Sequence, residues 1–281
     1  MTTEFKNQIK EKLSVYIAQK GSQNKAANSL NGISATLLSQ IINGNHKTIS
    51  AVMWRNIATQ IKCFSKKWLC VETTDFKIIS KVLADAQQHA HVFALTGDAG
   101  SGKSMSFEIY TKNNKNSYLL SCAEYWNRKE FLTQLLSTMG VDYSGFSVVE
   151  MMNEIVKKLK SQETPLIILD EADKLPDTVL YFFITLYNRL EDHCGIALCA
   201  TDHLSKRINK GIKLNRKGYK EINSRIGRHF IELKGVSFID ITQICIANGI
   251  DDVKSIKSIF ADSEGDLRRV KRKIQAVQNK I

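Results

Sequence analysis

A glycine-rich segment that follows an apolar run limits the folds open to this chain of 281 residues. Residues 91–96 predict a buried strand, and the stretch after Gly102 predicts a helix. The sequence between them, GDAGSGKS at residues 97–104, matches the spacing G-x-x-x-x-G-K-[ST] in the strand–loop–helix order that this motif needs. The segment therefore predicts an α/β domain with a phosphate-binding loop.

The residue types of this loop suit a bound nucleotide. Glycines let successive backbone N–H groups turn towards a phosphate, and the start of the following helix adds a favourable dipole. We expect Lys103 to reach the β- and γ-phosphates of ATP and Ser104 to coordinate Mg²⁺. The predicted nucleotide-binding residues of the loop are Gly97, Asp98, Ala99, Gly100, Ser101, Gly102, Lys103, Ser104 and Met105.

Two further apolar runs end in polar side chains. The run PLIIL leads into Asp170 and Glu171, and the run at residues 195–200 leads into Thr201. We expect Asp170 to hold Mg²⁺ together with Ser104, and Glu171 to polarise the water that attacks ATP. Thr201 would lie between the loop and the carboxylates, where it could sense the γ-phosphate. Catalysis of ATP hydrolysis is thus assigned to Lys103, Asp170, Glu171 and Thr201.

The net charge of +12 is concentrated at the start of the chain. Residues 1–70 contain ten lysine and arginine residues against two glutamates, which gives this region a net charge of +8. A polyanion such as DNA is a natural partner for such a region. A basic face that only keeps the protein in solution fits the charge equally well.

The helical pattern of this basic region favours DNA binding. Residues 4–19 predict a helix, Ser22 and Ser34 suit the N-caps of two short helices, and residues 49–64 predict a fourth helix. Residues 22–50 resemble a helix-turn-helix of the Cro/repressor type. The resemblance implies DNA contacts from Lys25, Ser34, Thr36, Gln40, Asn43, Asn45 and Lys47.

The predicted recognition helix contains no arginine, the residue that most often binds guanine with two hydrogen bonds. Its serine, threonine and asparagine side chains suit phosphate contacts, which position a protein on DNA without reading the sequence. We therefore expect weak sequence preference. A helical bundle that docks another protein is the alternative interpretation.

The order of the loop, the carboxylates and Thr201 resembles the AAA+ superfamily. The resemblance continues at residues 222–241, where Ser224 and Arg225 precede a short strand, and at residues 263–277, SEGDLRRVKRKIQAV. It implies that Arg225 is an arginine finger for a neighbouring subunit, with Arg228 as the second candidate. It also implies that Arg268 contacts the nucleotide from a helical lid.

The resemblance gives a fold class and a domain organisation. The fold is α/β: a parallel-sheet P-loop AAA+ module with a small helical lid, preceded by an all-α helix-turn-helix domain. The predicted domains are a DNA-binding domain at residues 1–70, an ATPase core at residues 71–234 and a lid at residues 235–281.

This domain order resembles the transposition ATPases of the Mu B, TnsC and IstB group. The resemblance implies ATP-bound subunits that oligomerise on double-stranded DNA, select target sites and activate a transposase. Two other functions stay open: a replication initiator or helicase loader, and a helix-turn-helix regulator for which nucleotide is only a ligand.

A second basic cluster lies within residues 205–220, SKRINKGIKLNRKGYK. Its two glycines, Gly211 and Gly218, predict a mobile loop, and its charges predict phosphate contacts. A solvated loop or a contact with a partner protein is the alternative. The DNA-binding residues predicted here are Lys206, Lys210, Lys213, Arg216 and Lys217.

Cysteine usage and hydropathy predict the compartment. The six cysteines form no CxxC pair, which predicts reduced thiols in a cytoplasmic protein rather than a zinc site. The chain start lacks a secretory apolar segment and the longest apolar runs are short, so we expect no membrane span.

Overall fold

The structure, a computed structural model, describes residues 3–46, 49–61, 63 and 68–278. These residues pack as two compact units. The first unit combines Met1–Trp68 with Leu132–Met152, and the second combines Leu69–Phe131 with Asn153–Ile281. The sequence did not assign residues 132–152 to the first unit. The domain boundaries predicted at residues 70 and 234 stay predictions.

Four helices make up the N-terminal part of the first unit: α1 Thr3–Lys20, α2 Gln23–Asn28, α3 Ala35–Ile42 and α4 Ala51–Gln60. The hydroxyl oxygens of Ser22 and Ser34 accept hydrogen bonds from the third residue of the helix that follows each of them, at 3.2 and 3.1 Å. Both predicted N-caps are therefore confirmed.

A small apolar core holds these four helices together. Every one of them contributes side chains to it, and its fully buried members include Ile9, Leu13, Ala26, Leu38, Ile41, Trp54 and Ile57. The sequence pattern works here because apolar residues at helical spacing form one face on each helix.

After residue 69 the described residues form strands separated by one or two helices, and three further helices follow the last strand. The elements are α5 Thr74–His89, β1 Val92–Thr96, α6 Lys103–Asn113, β2 Ser117–Ser121, α7 Arg128–Thr138, α8 Val148–Lys160, β3 Leu166–Asp170, a 3-10 turn at Ala172–Lys174, α9 Asp177–Leu190, β4 Gly195–Ala200, α10 Asp202–Lys213, α11 Tyr219–Arg225, β5 Phe230–Glu232, α12 Phe238–Ala247, α13 Val253–Ser263 and α14 Leu267–Gln278.

The five strands form one parallel sheet in the order β2-β3-β4-β1-β5. Leu95, Ile168 and Cys199 are buried in this sheet, and α5 and α6 pack against it. Because β4 lies between β3 and β1, the residues that follow these three strands meet at one edge of the sheet. The predicted α/β fold with a parallel sheet is confirmed.

The last three helices, α12 to α14, form the C-terminal helical region. All three lie within residues 235–281, the stretch predicted to form a helical lid. Ser237 and Asp240 form a reciprocal capping box at the start of α12. Asp240 also accepts a hydrogen bond from the backbone N–H of Thr74 at 2.8 Å, which joins this region to the start of α5.

The prediction of a mobile loop at Gly211 is wrong. Residues 202–213 form helix α10, and Gly211 is buried within it. A Cβ atom at this position would lie 2.4 Å from the ring of Tyr219, so a small residue is required where α11 packs against α10. Gly218 has a φ of +83° and precedes α11, so of these two glycines it is Gly218 that lies in a turn.

None of the helices in the described part of the chain is both long enough and apolar enough to cross a bilayer.

Candidate active site

The phosphate-binding loop joins β1 to α6 through residues 97–102. Gly100 and Gly102 have φ angles of +82° and +96°, which favour glycine. Lys103 is the first residue of α6, so the helix N-terminus faces the space that the loop encloses. This is the geometry in which backbone N–H groups bind phosphate.

The glycines of the loop are also required by close packing. Cβ atoms built at Gly97 and Gly102 would lie 2.9 Å from Leu233 and 3.0 Å from Leu267. A Cβ atom at Gly100 would lie 2.3 Å from a carboxylate oxygen of Asp266. The backbone N–H of Leu267 donates to the carbonyl oxygen of Gly100 at 2.9 Å. The start of α14 therefore rests directly on the loop.

We expect Gly100→Ala to weaken ATP binding by about tenfold to a hundredfold. The methyl group requires the loop or Asp266 to move, and losing one N–H bond to a charged phosphate costs about 1.5–3 kcal/mol. Titration with a fluorescent ATP analogue measures the effect. The matched control is Gly21→Ala, because Gly21 has the same φ of +82° with open space around its Cα. Unchanged affinity in Gly100→Ala would contradict the packing argument.

Lys103 is folded over the loop. Its Nζ donates to the carbonyl oxygens of Gly97 and Asp98, each at 2.7 Å. The side chain is 9% exposed. Burial lowers the pKa of Lys103, and the nearby Asp170 carboxylate opposes this shift. The ammonium group thus lies at the loop, where phosphate oxygens could replace the two carbonyls.

The pair Ser104 and Asp170 could hold a magnesium ion. The Ser104 hydroxyl donates to Asp170 Oδ2 at 2.6 Å, although the two residues come from different elements, α6 and β3. Burial raises the pKa of Asp170, while hydrogen bonds from Ser104 and from the backbone N–H of Glu171 lower it. One carboxylate and one hydroxyl fit Mg²⁺, which usually takes its remaining oxygen ligands from phosphates and water.

Within the described ranges, no group of three or more histidine, cysteine or acidic residues is arranged to hold a metal by itself.

Glu171 has a backbone conformation that non-glycine residues rarely adopt. Its φ is +55°, and its carboxylate accepts a hydrogen bond from Lys174 Nζ at 2.7 Å. Such conformations occur where neighbouring structure enforces them, often at functional sites. The side chain is 46% exposed, so water reaches the carboxylate that is predicted to polarise it.

Thr201 follows β4, the strand between β1 and β3. Thr201 therefore follows a strand that lies between the strand before the loop and the strand before the carboxylates, and its role as a γ-phosphate sensor stays a prediction. The hydroxyl donates to Asp173 Oδ2 at 2.9 Å. Sequence reasoning missed Asp173, although it is the third acidic residue of residues 170–173, DEAD.

Arg225, the predicted arginine finger, lies against α9. Its Nη2 donates to Asn188 Oδ1 at 3.1 Å, and its guanidinium lies 4.8 Å from the ring centre of Tyr187. Glu221 completes the surroundings with an ion pair at 3.7 Å. Arg228, the second candidate, is exposed with a φ of +58°.

Arg268, the residue predicted to contact the nucleotide from the lid, is exposed at the start of α14. Its backbone N–H donates to Asp266 Oδ1 at 2.7 Å, beside the Leu267 contact with the loop. The chain therefore brings Arg268 to the neighbourhood of Gly100.

The predicted DNA-binding residues occupy both units. In the first unit the Ser34 side chain caps α3, and Gln40 is partly buried. Lys47 lies outside the described residues. The exposed members there are Lys25, Ser34, Thr36, Asn43 and Asn45. In the second unit Lys206 forms an ion pair with Asp202, and the other exposed members are Lys210, Lys213, Arg216 and Lys217.

The sheet order, the loop and the carboxylates after β3 define a P-loop nucleotide-binding domain. Residues 86–208 match the family model described as an AAA domain, over less than half of the chain. This part of the chain is similar to AAA-type P-loop ATPase domains, a class that generally binds ATP with Mg²⁺. A comparison with curated proteins found no match.

The matched range contains the loop, Asp170, Glu171 and Thr201, and it ends before Arg225 and Arg268. The individual roles of these residues stay predictions.

Proposed function

We propose that this protein hydrolyses ATP to control its assembly on double-stranded DNA, where it selects target sites with little sequence preference and activates a transposase. The observation that carries the proposal is the start of α10. This helix begins directly after Thr201 and carries exposed basic residues along its length. A polyanion bound there would lie on a helix that begins at the candidate nucleotide site.

The site residues suit the hydrolysis of ATP. Lys103 and the N–H groups of the loop would bind the phosphates, and Thr201 would contact the γ-phosphate. Glu171 would orient and polarise the attacking water. When bound, Mg²⁺ would neutralise charge on the β- and γ-phosphate oxygens beside Ser104 and Asp170.

The charge distribution supports DNA as the partner. The first 70 residues have a net charge of +8, and α10 with the following turn adds further lysines and arginines that point to solvent. Phosphate contacts of this kind supply affinity without sequence preference.

The placement of Arg225 supports assembly into an oligomer. The side chain of Arg225 contacts Asn188 and Tyr187 on α9 and Glu221 on α11, and these described partners lie outside the phosphate-binding loop. An arginine that acts on a neighbouring subunit completes the site only after assembly. The role in transposition rests on the resemblance of the domain order to transposition ATPases.

Binding of a random-sequence DNA duplex tests the proposal. We expect cooperative binding, measured by fluorescence anisotropy, with ATP and at least about tenfold weaker binding with ADP or without nucleotide, because the γ-phosphate stabilises the assembled state. Equal binding in all three states would favour a nucleotide-independent regulator. A requirement for one DNA sequence would favour an initiator.

The salt dependence of the same binding reports on the basic cluster. Replacing Lys210, Lys213 and Lys217 with glutamine should reduce the slope of log K against log salt by about 0.9 for each lost phosphate contact. The control replaces Lys77 and Lys81 on α5, which are also exposed lysines. An unchanged slope in the first variant would remove the cluster from the DNA interface.

A further inference from the structure

The guanidinium of Arg207 is the centre of a hydrogen-bond network beneath α10. Its Nη1 donates to the carbonyl oxygens of Asp173 and Leu175 at 3.1 and 2.7 Å. Its Nη2 pairs with the carboxylate of Asp177, and its Nε donates to the Tyr219 hydroxyl at 3.1 Å. The side chain is only 25% exposed, so protein contacts rather than solvent determine its position.

The network is closed and joins α10 to α11. The Tyr219 hydroxyl donates to the same Asp177 carboxylate at 2.7 Å. The Tyr219 ring is buried against Gly211, where no side chain would fit. Helix α11 ends at Arg225, the predicted arginine finger, so the network also fixes the start of the helix that carries it.

The segment that Arg207 holds, residues 173–177, belongs to the catalytic edge of the sheet. It begins within the 3-10 turn Ala172–Lys174, which directly follows Asp170 and Glu171. Its first residue, Asp173, accepts the hydrogen bond from Thr201. A movement of this segment would therefore change the positions of the predicted sensor and of the predicted base together.

The outer face of α10 is basic and exposed. Lys206, Lys210 and Lys213 follow one another at intervals of four and three residues, which places them on one face of the helix. Arg207 is the neighbour of Lys206 in the sequence, but its donors are used inside the protein. A guanidinium holds five N–H donors in one rigid plane, whereas a lysine ammonium has three donors at the end of a flexible chain.

We propose that Arg207 couples the basic face of α10 to ATP hydrolysis, as a positioning residue that transmits a shift of α10 to residues 173–177; this inference rests on the proposed function. A DNA duplex on Lys206, Lys210 and Lys213 pulls on α10. Arg207 carries the displacement to the segment beside Glu171 and Thr201, and Tyr219 carries it to α11. DNA binding and hydrolysis then depend on one another.

The test compares kcat for ATP hydrolysis with and without a saturating DNA duplex. For the wild type we expect this ratio to be about tenfold or more, because assembly on DNA supplies an arginine finger that is worth far more than that. In Arg207→Gln the ratio should fall below about twofold, while the Kd for DNA in the presence of an ATP analogue changes by less than about threefold. The matched control is Lys206→Gln, which also removes one positive charge from α10. It should weaken DNA binding and keep the ratio once DNA is saturating.

Two variants that change fewer contacts test the inference if Arg207→Gln does not fold. Tyr219→Phe keeps the ring against Gly211 and removes only the hydroxyl, and Asp177→Asn removes the charge that faces Arg207. Each should lower the ratio by at least about threefold with a normal melting temperature. Combined with Arg207→Gln, neither should lower it further, because residues of one network are not additive.

The possible results separate the inference from the proposed function. A wild-type ratio near one would overturn both. If the wild type shows a clear ratio and the ratio of Arg207→Gln is within about twofold of the wild-type value, the inference alone is overturned. An equal fall in kcat with and without DNA would also overturn it, because Arg207 would then stabilise the active site without linking it to DNA binding.

Discussion

Replacement of Glu171 by glutamine is expected to lower the kcat of ATP hydrolysis by about 10²- to 10⁴-fold, the usual contribution of a general base. Glutamine keeps the size and the hydrogen-bonding reach of the side chain but cannot accept a proton from water. Affinity for ATP should change by less than about threefold, because the phosphate-binding loop and the pair Ser104 and Asp170 are untouched. Phosphate release at saturating ATP gives kcat, and titration with a fluorescent nucleotide gives affinity.

The control for this variant is Glu163→Gln, which removes one exposed carboxylate elsewhere on the surface. It should hydrolyse ATP at the wild-type rate. A Glu171→Gln protein that retains more than about a third of the wild-type kcat would show that another group activates the water. If the proposed function is right, the slow variant should also stay on DNA longer after ATP is added, since hydrolysis ends the assembled state.

Replacement of Arg225 by alanine is expected to lower the kcat of the assembled protein by about 10³- to 10⁵-fold, the range measured for arginine fingers. The physical reason is the loss of a positive charge that stabilises the transition state across a subunit boundary. ATP binding to the isolated subunit should be nearly unchanged. The matched control is Arg228→Ala, an exposed arginine in the same stretch of chain. A large loss in that control with none in Arg225→Ala would identify Arg228 as the finger.

A mixing experiment distinguishes action on a neighbour from action within one subunit. Arg225→Ala and Glu171→Gln are each expected to be inactive alone. In an equal mixture, an Arg225→Ala subunit keeps its own Glu171 and can receive Arg225 from its neighbour, so about a quarter of the sites regain function if the arginine acts in trans. If co-assembled mixtures recover no ATPase activity, Arg225 acts on the active site of its own subunit.

Much of the fold follows from local sequence rules. Ser22 and Ser34 are followed by helices whose N–H groups they cap, and a serine can do this without any tertiary contact. The phosphate-binding loop was predictable because glycine spacing, the strand before it and the helix after it all lie within about 25 residues. The carboxylates after β3 and Thr201 after β4 were predictable for the same reason, since parallel strands that end at one edge bring their following residues together.

Other features could not be read from the sequence because they depend on residues far apart along the chain. In the sequence Arg207 is one basic residue among several in residues 205–220, and only its contacts with Asp173, Asp177 and Tyr219 distinguish it from Lys206. Gly211 looked like a loop residue, because the sequence does not show that Tyr219 packs against it.

The sequence by itself determined the class of the domain and the identity of the nucleotide-binding segment, because a phosphate-binding loop is a continuous piece of chain whose backbone does the binding. Tertiary structure decided which charges face solvent and which are used inside. It also decided that Gly100 must lack a side chain, because Asp266 and Leu267 of the C-terminal helices rest on the loop. Packing between residues far apart in the chain restricts which side chain a position can hold, but it does not change the residue types on either side of that position. A single sequence therefore shows little sign of it.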